Sequence, residues 1–277
     1  MVRQVRLPDG EMIPALGQGA WRMGERLDRR KAETAAIREG VELGLTLIDT
    51  AEMYGDGATE QFLGAALKGL RDRVFLVSKA YPENTSRSRL ARTCEESLKR
   101  LNTDRLDLYL LHWRGRVPLA ETVEAMEALK TAGKIRHWGV SNLDLADMEE
   151  LQAAGGDGCA VNQVLYNLSR RGPEFDLFPW MADRGIPIMA YSPLEQGRLA
   201  RSIPLARIAQ ARGVEPLLIA LAWTLRRPDA ISIPKASSIE HVRQNRRALD
   251  LVLSPEDLAA LDGAFPPPRR KVGLEML

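Results

Sequence analysis

The chain has 277 residues and a mass of 30.8 kDa, with 45% hydrophobic and 27% charged side chains and a net charge of +2. That length fits one domain or two, and no block of a single sign makes an electrostatic case for nucleic acid or a membrane surface. Cys94 and Cys159 cannot make a disulfide framework, no close Cys/His cluster suggests a metal, and no apolar run approaches the ~20 residues of a membrane span. The N-terminus carries no apolar signal region, so a cytoplasmic protein is expected.

In chain order, Pro8-Asp9-Gly10 between alternating segments predicts a small hairpin over residues 5–14. Strand and helix patterns then alternate. A first strand is expected to open at Ala15-Leu16-Gly17, and further strands at 45–49, 74–79, 106–112, 135–140, 160–163, 186–191 and 230–234. Helices are expected at 29–44, 58–69, 86–101, 119–133, 144–154, 175–185, 205–212 and 216–226, with another from Ser238. Ser254-Pro255 opens one more, with a serine cap and proline at the first position.

Eight strands alternating with helices predict a parallel sheet. An open doubly wound sheet is the rival, but Gly17-Gln18-Gly19-Ala20 lacks the third glycine of a dinucleotide turn and does not run promptly into a helix. The reading is α/β: a single (β/α)₈ barrel domain over residues 1–277, with an N-terminal β-hairpin and extra C-terminal helices.

In such a barrel the strand ends converge on one mouth. Asp49 ends the second strand, Lys79 the third and His112 the fourth, and Tyr54 lies in the loop after Asp49. A buried ammonium needs a carboxylate, which makes Asp49 and Lys79 a pair, and a cation beside a phenol lowers its pKa. Tyr54 then protonates a carbonyl oxygen while hydride reaches the carbon. No side chain donates hydride, so a nicotinamide cofactor is implied. Trp21, after strand one, and Trp113, after His112, are expected with Tyr54 and His112 in the substrate pocket.

The residues then reach a family. Leu47-Ile48-Asp49-Thr50-Ala51-Glu52-Met53-Tyr54-Gly55 resembles the aldo-keto reductase signature. Val77-Ser78-Lys79, Leu110-Leu111-His112-Trp113, Gly139-Val140-Ser141-Asn142 and Ile233-Pro234-Lys235-Ala236-Ser237-Ser238 match its further motifs in order. The likeness covers essentially the whole chain and is nearest the short bacterial members that reduce methylglyoxal and similar carbonyls.

The resemblance implies NADP(H) bound in an extended pose, with Tyr54 as acid, Lys79 and Asp49 tuning it, and His112 orienting a small carbonyl substrate. It implies that Ser141, Asn142 and Gln163 bind the carboxamide and that Tyr191 stacks on the ring. Ser192, Leu194, Gln196 and Gly197 would follow the pyrophosphate, beside Gly19, Ala20 and Trp21. Ile233, Lys235, Ser237, Ser238, His241, Gln244 and Asn245 would meet the adenosine phosphate end.

Two positions depart from the family pattern. Ala236 stands where many members have serine, and His241 where an arginine helps hold the 2′-phosphate. Arg243, two residues on, points roughly 200° away around a helix. Weaker discrimination against NAD follows. Short loops after strands four and seven, and a tail read as flexible and solvated from Pro266, predict an open pocket; a monomer is expected. The rivals in function are a nucleotide-binding regulatory module of the same fold and a Schiff-base aldolase using Lys79.

Overall fold

Gly10, at φ 97°, closes the turn between β1 (Gln4–Arg6) and β2 (Met12–Pro14) in the computed structural model, which describes residues 2–277. The two strands pair antiparallel, with Val5 opposite Ile13. One face of this hairpin buries Val5, Leu7 and Ile13 against the barrel interior.

Eight parallel strands follow: β3 (Gln18–Gly19), β4 (Leu47–Asp49), β5 (Phe75–Ala80), β6 (Leu106–Leu111), β7 (Ile135–Ser141), β8 (Cys159–Leu165), β9 (Ile188–Tyr191) and β10 (Ala230–Ser232). They lie side by side in chain order. The edges meet through bridges from Leu16 to Ser232 and from Gly19 to Lys235, so the sheet closes on itself as a (β/α)₈ barrel. Alternation sorts the side chains: Leu108 and Leu110 pack inside with Val77, Val161 and Met189, while Tyr109 and Leu111 face the helices.

Strand one, expected to open at Ala15-Leu16-Gly17, pairs there through the bridge from Leu16 to Ser232 and continues as β3 at Gln18–Gly19. Glycine is required there by close approach, since a Cβ on Gly17 would sit 2.7 Å from the Leu47 carbonyl oxygen and one on Gly19 2.7 Å from that of Ile233. Between them the buried Gln18 amide donates to the carbonyls of Ile37 and Leu45, at 3.1 and 3.0 Å. A polar, glycine-flanked strand carries no apolar period, which is why the pattern marks only its opening. Strand six runs two residues past its expected end at Gln163, to Leu165.

The helices are α1 (Arg30–Glu42), α2 (Ala58–Ala66), α3 (Leu90–Leu101), α4 (Leu119–Thr131), α5 (Leu145–Ala153), α6 (Leu177–Ala182), α7 (Ile203–Arg212), α8 (Pro216–Leu225), α9 (Ile239–Arg247) and α10 (Pro255–Ala264). In α3, Leu90, Thr93, Cys94, Ser97, Leu98 and Leu101 form the buried stripe, and Asn102 at φ 52° ends the helix. Ser254 and Asp257 cap α10 reciprocally behind Pro255, as its sequence signature predicts.

The hairpin fixes which end of the barrel is open. Glu11 reaches from it to Arg136 and His137 at the start of β7, at 2.6 and 2.7 Å. The N-terminal ends of the strands are therefore covered, and the C-terminal ends form the mouth. No helix among the described residues is long and apolar enough to cross a membrane.

Candidate active site

β4 and β5 are adjacent and parallel, which sets Asp49 beside Lys79 at the mouth. Lys79 is fully buried, and four apolar or small residues of β5 lead into it. Its three ammonium protons have three acceptors: Asp49 Oδ2 at 2.9 Å, the Thr50 carbonyl at 2.7 Å and the Tyr54 hydroxyl at 3.2 Å. Burial pulls the Lys79 pKa down, but Asp49 and Tyr54 outweigh it and hold the group above its ordinary value. The ammonium stays charged.

Tyr54 opens a short 3₁₀ turn, Tyr54–Gly57, after β4. The expectation that Lys79 lowers this phenol is met only in part. Burial pushes the Tyr54 pKa up, Lys79 pulls it down and Asp49 pushes it up again, and the net shift is upward. The phenol is therefore held in its protonated form.

His112 follows β6, with its ring 6.1 Å from that of Tyr54. Burial, and then Lys79, lower its imidazole to about 2, so it is a neutral ring. Its Nδ1 is buried without a hydrogen-bond partner. Trp113 packs against His112 at 4.8 Å and edge-on to Tyr81 at 5.7 Å.

A second set of polar groups crosses the mouth from β7 and β8. The Gln163 Nε2 donates to Asp49 Oδ1 at 2.8 Å, and the Ser141 hydroxyl donates to the Gln163 carbonyl at 2.9 Å. Asn142, held at φ 58°, donates to the His112 carbonyl at 3.1 Å and to Ser141 Oγ at 3.0 Å, and accepts from the Tyr191 hydroxyl at 3.0 Å. The amides at the strand ends are thus wired to Asp49 and His112 rather than standing free.

These groups line a cavity of about 910 Å³, near the upper end of the range for small-molecule clefts. It takes in Tyr54, His112, Trp21 and Trp113 and, of the expected cofactor positions, all except Ala20, Ser237 and Ser238. Ala20 is fully buried and offers its main-chain N–H to the Asp49 carbonyl. The Ser238 hydroxyl caps α9 through the His241 N–H, at 3.3 Å. Lys79 lies behind the wall. Arg243 turns away from the cavity to pair with Glu39 at 2.8 Å, as the helical spacing required.

The wall also holds residues that the strand-end reasoning missed: Arg22, Met53, Glu215, Arg247, Met276 and Leu277 among them. The tail is solvated, as the sequence reading expected, but it is also anchored: Lys271 pairs with Asp176 at 3.2 Å and Glu275 with Arg170, and Met276 and Leu277 line the mouth. Arg198, in the same loop, pairs with Glu195 at 3.4 Å.

A model of the aldo/keto reductase family matches residues 15–265. The chain is 54% identical over 271 residues to methylglyoxal reductase YeaE of Escherichia coli, covering 96% of this chain and 95% of that one. It is 31% identical over 261 residues to glyoxal reductase of Bacillus subtilis, covering 93% and 91%. Among solved structures, an aldo/keto reductase from Klebsiella pneumoniae in complex with NADP and acetate superposes with a TM-score of 0.97 at 53% identity, covering 100% of both chains. With a closed barrel, a mouth built from Asp49, Tyr54, Lys79 and His112, and a family match spanning nearly its whole length, this chain belongs to the aldo/keto reductase family and is an oxidoreductase.

Proposed function

We propose that the chain is one barrel domain that reduces small aldehydes and ketones to alcohols with NADPH, using Tyr54 as the proton donor. The observation that carries this reading is the chain Gln163–Asp49–Lys79–Tyr54, which ends in a protonated phenol at the wall of the cavity.

The residues present fit NADP(H). Lys235 lines the far part of the cavity, where burial first, and then Arg29 and Arg22, hold its ammonium below the ordinary value against the opposing pull of Glu33. Lys235, Arg22 and Arg247 line this cavity and are cations suited to a phosphate. Gly19, Trp21, Ser192, Leu194, Gln196, Gly197, Ile233, His241, Gln244 and Asn245 line the same cavity. Asn142 Oδ1 and Gln163 Oε1 are acceptors suited to a carboxamide NH₂, beside the Tyr191 ring. NADPH, when bound, supplies the hydride.

The protein's part is proton handling and orientation. A carbonyl oxygen placed between Tyr54 and His112 meets one phenolic O–H and one neutral imidazole. As negative charge develops on that oxygen, Tyr54 gives up its proton, and Lys79 at 3.2 Å stabilises the phenolate left behind. Asp49 keeps Lys79 charged and in place. His112 orients the oxygen without competing as an acid, because its ring carries no spare proton.

The substrates proposed are methylglyoxal-like, aromatic and sugar-derived carbonyls. Trp21, Met53, Trp113, Met276 and Leu277 make an apolar wall beside the phenol, and the curated relatives are named for methylglyoxal and glyoxal. The test is NADPH oxidation by purified protein with methylglyoxal and with nitrobenzaldehyde. Absence of turnover with both, in a protein that binds NADPH, would revive the regulatory reading.

A further inference from the structure

The loop after β9 is wound in an unusual way. Ser192, Glu195 and Gln196 are all left-handed non-glycine residues, at φ 47°, 48° and 54°, and Gly197 follows at 83°. A non-glycine residue in that region persists only where its surroundings impose it. Here the constraint comes from the loop after β8. Asn167, fully buried, donates to the Ser192 carbonyl at 2.9 Å and to Glu195 Oε2 at 2.8 Å. Arg170 donates to Glu195 Oε1 at 3.0 Å. Burial pushes the Glu195 carboxyl up, but Arg170 and Asn167 outweigh it and leave it below its ordinary range.

Arg170 has a second partner. Its other terminal nitrogen donates to Glu275 in the tail, so one guanidinium holds the loop with one edge and the tail with the other. The residues on either side of this bridge line the same cavity: Ser192, Gln196 and Gly197 from the loop, Met276 and Leu277 from the tail. Met276 and Leu277 are each 56% exposed, so apolar surface at the mouth stands ready to be covered. The Leu277 main chain also lies beside the Tyr191 hydroxyl.

Resting on the nucleotide reading above, we propose that Arg170 is a positioning residue that couples the nucleotide loop to the substrate wall. A nucleotide that fixes residues 192–197 fixes Glu195. The rigid fork of Arg170 then fixes Glu275 and sets Met276 and Leu277 over the mouth. The carbonyl site is completed only once the nucleotide is in place. By linkage, whatever the bound nucleotide contributes to ordering the tail, an ordered tail returns to nucleotide affinity.

Hydrogen–deuterium exchange on the full chain, with and without saturating NADP⁺, tests this. In the wild type, NADP⁺ is expected to slow exchange of the amides of residues 272–277 about tenfold or more. In Glu275→Gln and Arg170→Gln the slowing falls below about twofold. Glu275→Gln, an exposed change, weakens NADP⁺ binding by up to about tenfold, the reciprocal of the lost coupling, and its carbonyl KM rises about fivefold with a smaller change in kcat. Persistent slowing in both variants, or no slowing in a wild-type protein that binds NADP⁺, would overturn the coupling alone. A wild-type protein that binds no NADP⁺ would overturn the nucleotide reading and the coupling with it.

Discussion

Gln163 Nε2 and Asp49 Oδ1 lie 2.8 Å apart, linking the amide expected at the nicotinamide to the carboxylate that anchors Lys79. The amide orientation is forced, because reversing it would set two acceptor oxygens against each other. Gln163→Glu keeps the shape but places a second carboxylate at Asp49. Two carboxyls sharing a site cannot both ionise freely, and one pKa is driven up. The variant's kcat should fall tenfold or more, and its pH–rate profile should gain an inflection that the wild type lacks. Superimposable profiles would show that the link does not bear on proton transfer.

Tyr54→Phe removes the proposed proton donor and one of the three Lys79 acceptors, while the ring stays in place. Reduction should drop by about 10²–10⁴-fold, the usual contribution of general acid catalysis, with NADP⁺ affinity by fluorescence titration changed less than about threefold. A variant that kept most of its turnover would move the acid elsewhere.

Lys79→Met leaves Asp49 buried with Gln163 as its remaining side-chain partner. Stranding a buried charge in this way costs about 3–5 kcal/mol, read as a lower urea midpoint at neutral pH. Asp49→Leu added to Lys79→Met should recover part of that stability while restoring no activity. If the double variant were no more stable than Lys79→Met, charge compensation would not be what Asp49 and Lys79 do for each other.

His112 sets a pH dependence of folding rather than of catalysis. Its imidazole is lowered from 6.5 to about 2, by burial first and then by Lys79. Between those values the unfolded chain binds a proton that the native chain refuses. This contribution to stability is therefore fully present above about pH 6.5 and is lost as the pH falls toward 2, at up to ~1.4 kcal/mol per pH unit. His112→Gln should flatten the acid side of the stability curve measured by urea titration. Parallel curves would show that the ring is not held neutral.

His241 lines the cavity where many family members carry arginine, and Arg243 is already paired with Glu39. His241→Arg should raise the NADPH-over-NADH preference in kcat/KM about tenfold, or ~1.4 kcal/mol, as one added charge-assisted contact would. The wild type should discriminate less than that variant. No change in the ratio would mean that Lys235 and its neighbours set the preference alone.

The parts legible in the sequence were those set by local periodicity. Apolar runs ending in Asp49, Lys79 and His112 named three strands and three site residues together, because in a parallel barrel a strand end is a place in space. Strand one resisted because close approach to Leu47 and Ile233 demands glycine, and its buried glutamine reads as polar. Met276, Leu277 and Arg22 were missed because ion pairs and loop turns bring them to the mouth. Glu275 meets Arg170 across 105 residues, and no pattern in the tail announces it. The net rise at Tyr54 was hidden for a related reason: burial is a property of the assembled mouth and outweighs the one neighbour that the sequence supplies.

The three acceptors around Lys79 have a chemical consequence. Dicarbonyls such as methylglyoxal modify free amines, and an amine attacks a carbonyl only through a lone pair. An ammonium with every proton engaged, and its pKa held up, has none to offer. Lys79, behind the wall that carries Tyr54, is thus ill suited to form a Schiff base with a carbonyl in the cavity. The aldolase chemistry is closed off by the same contacts that make Lys79 useful to Tyr54, and borohydride should trap no adduct there. On the proposed reading, an aldehyde held at Tyr54 would leave Lys79 underivatised.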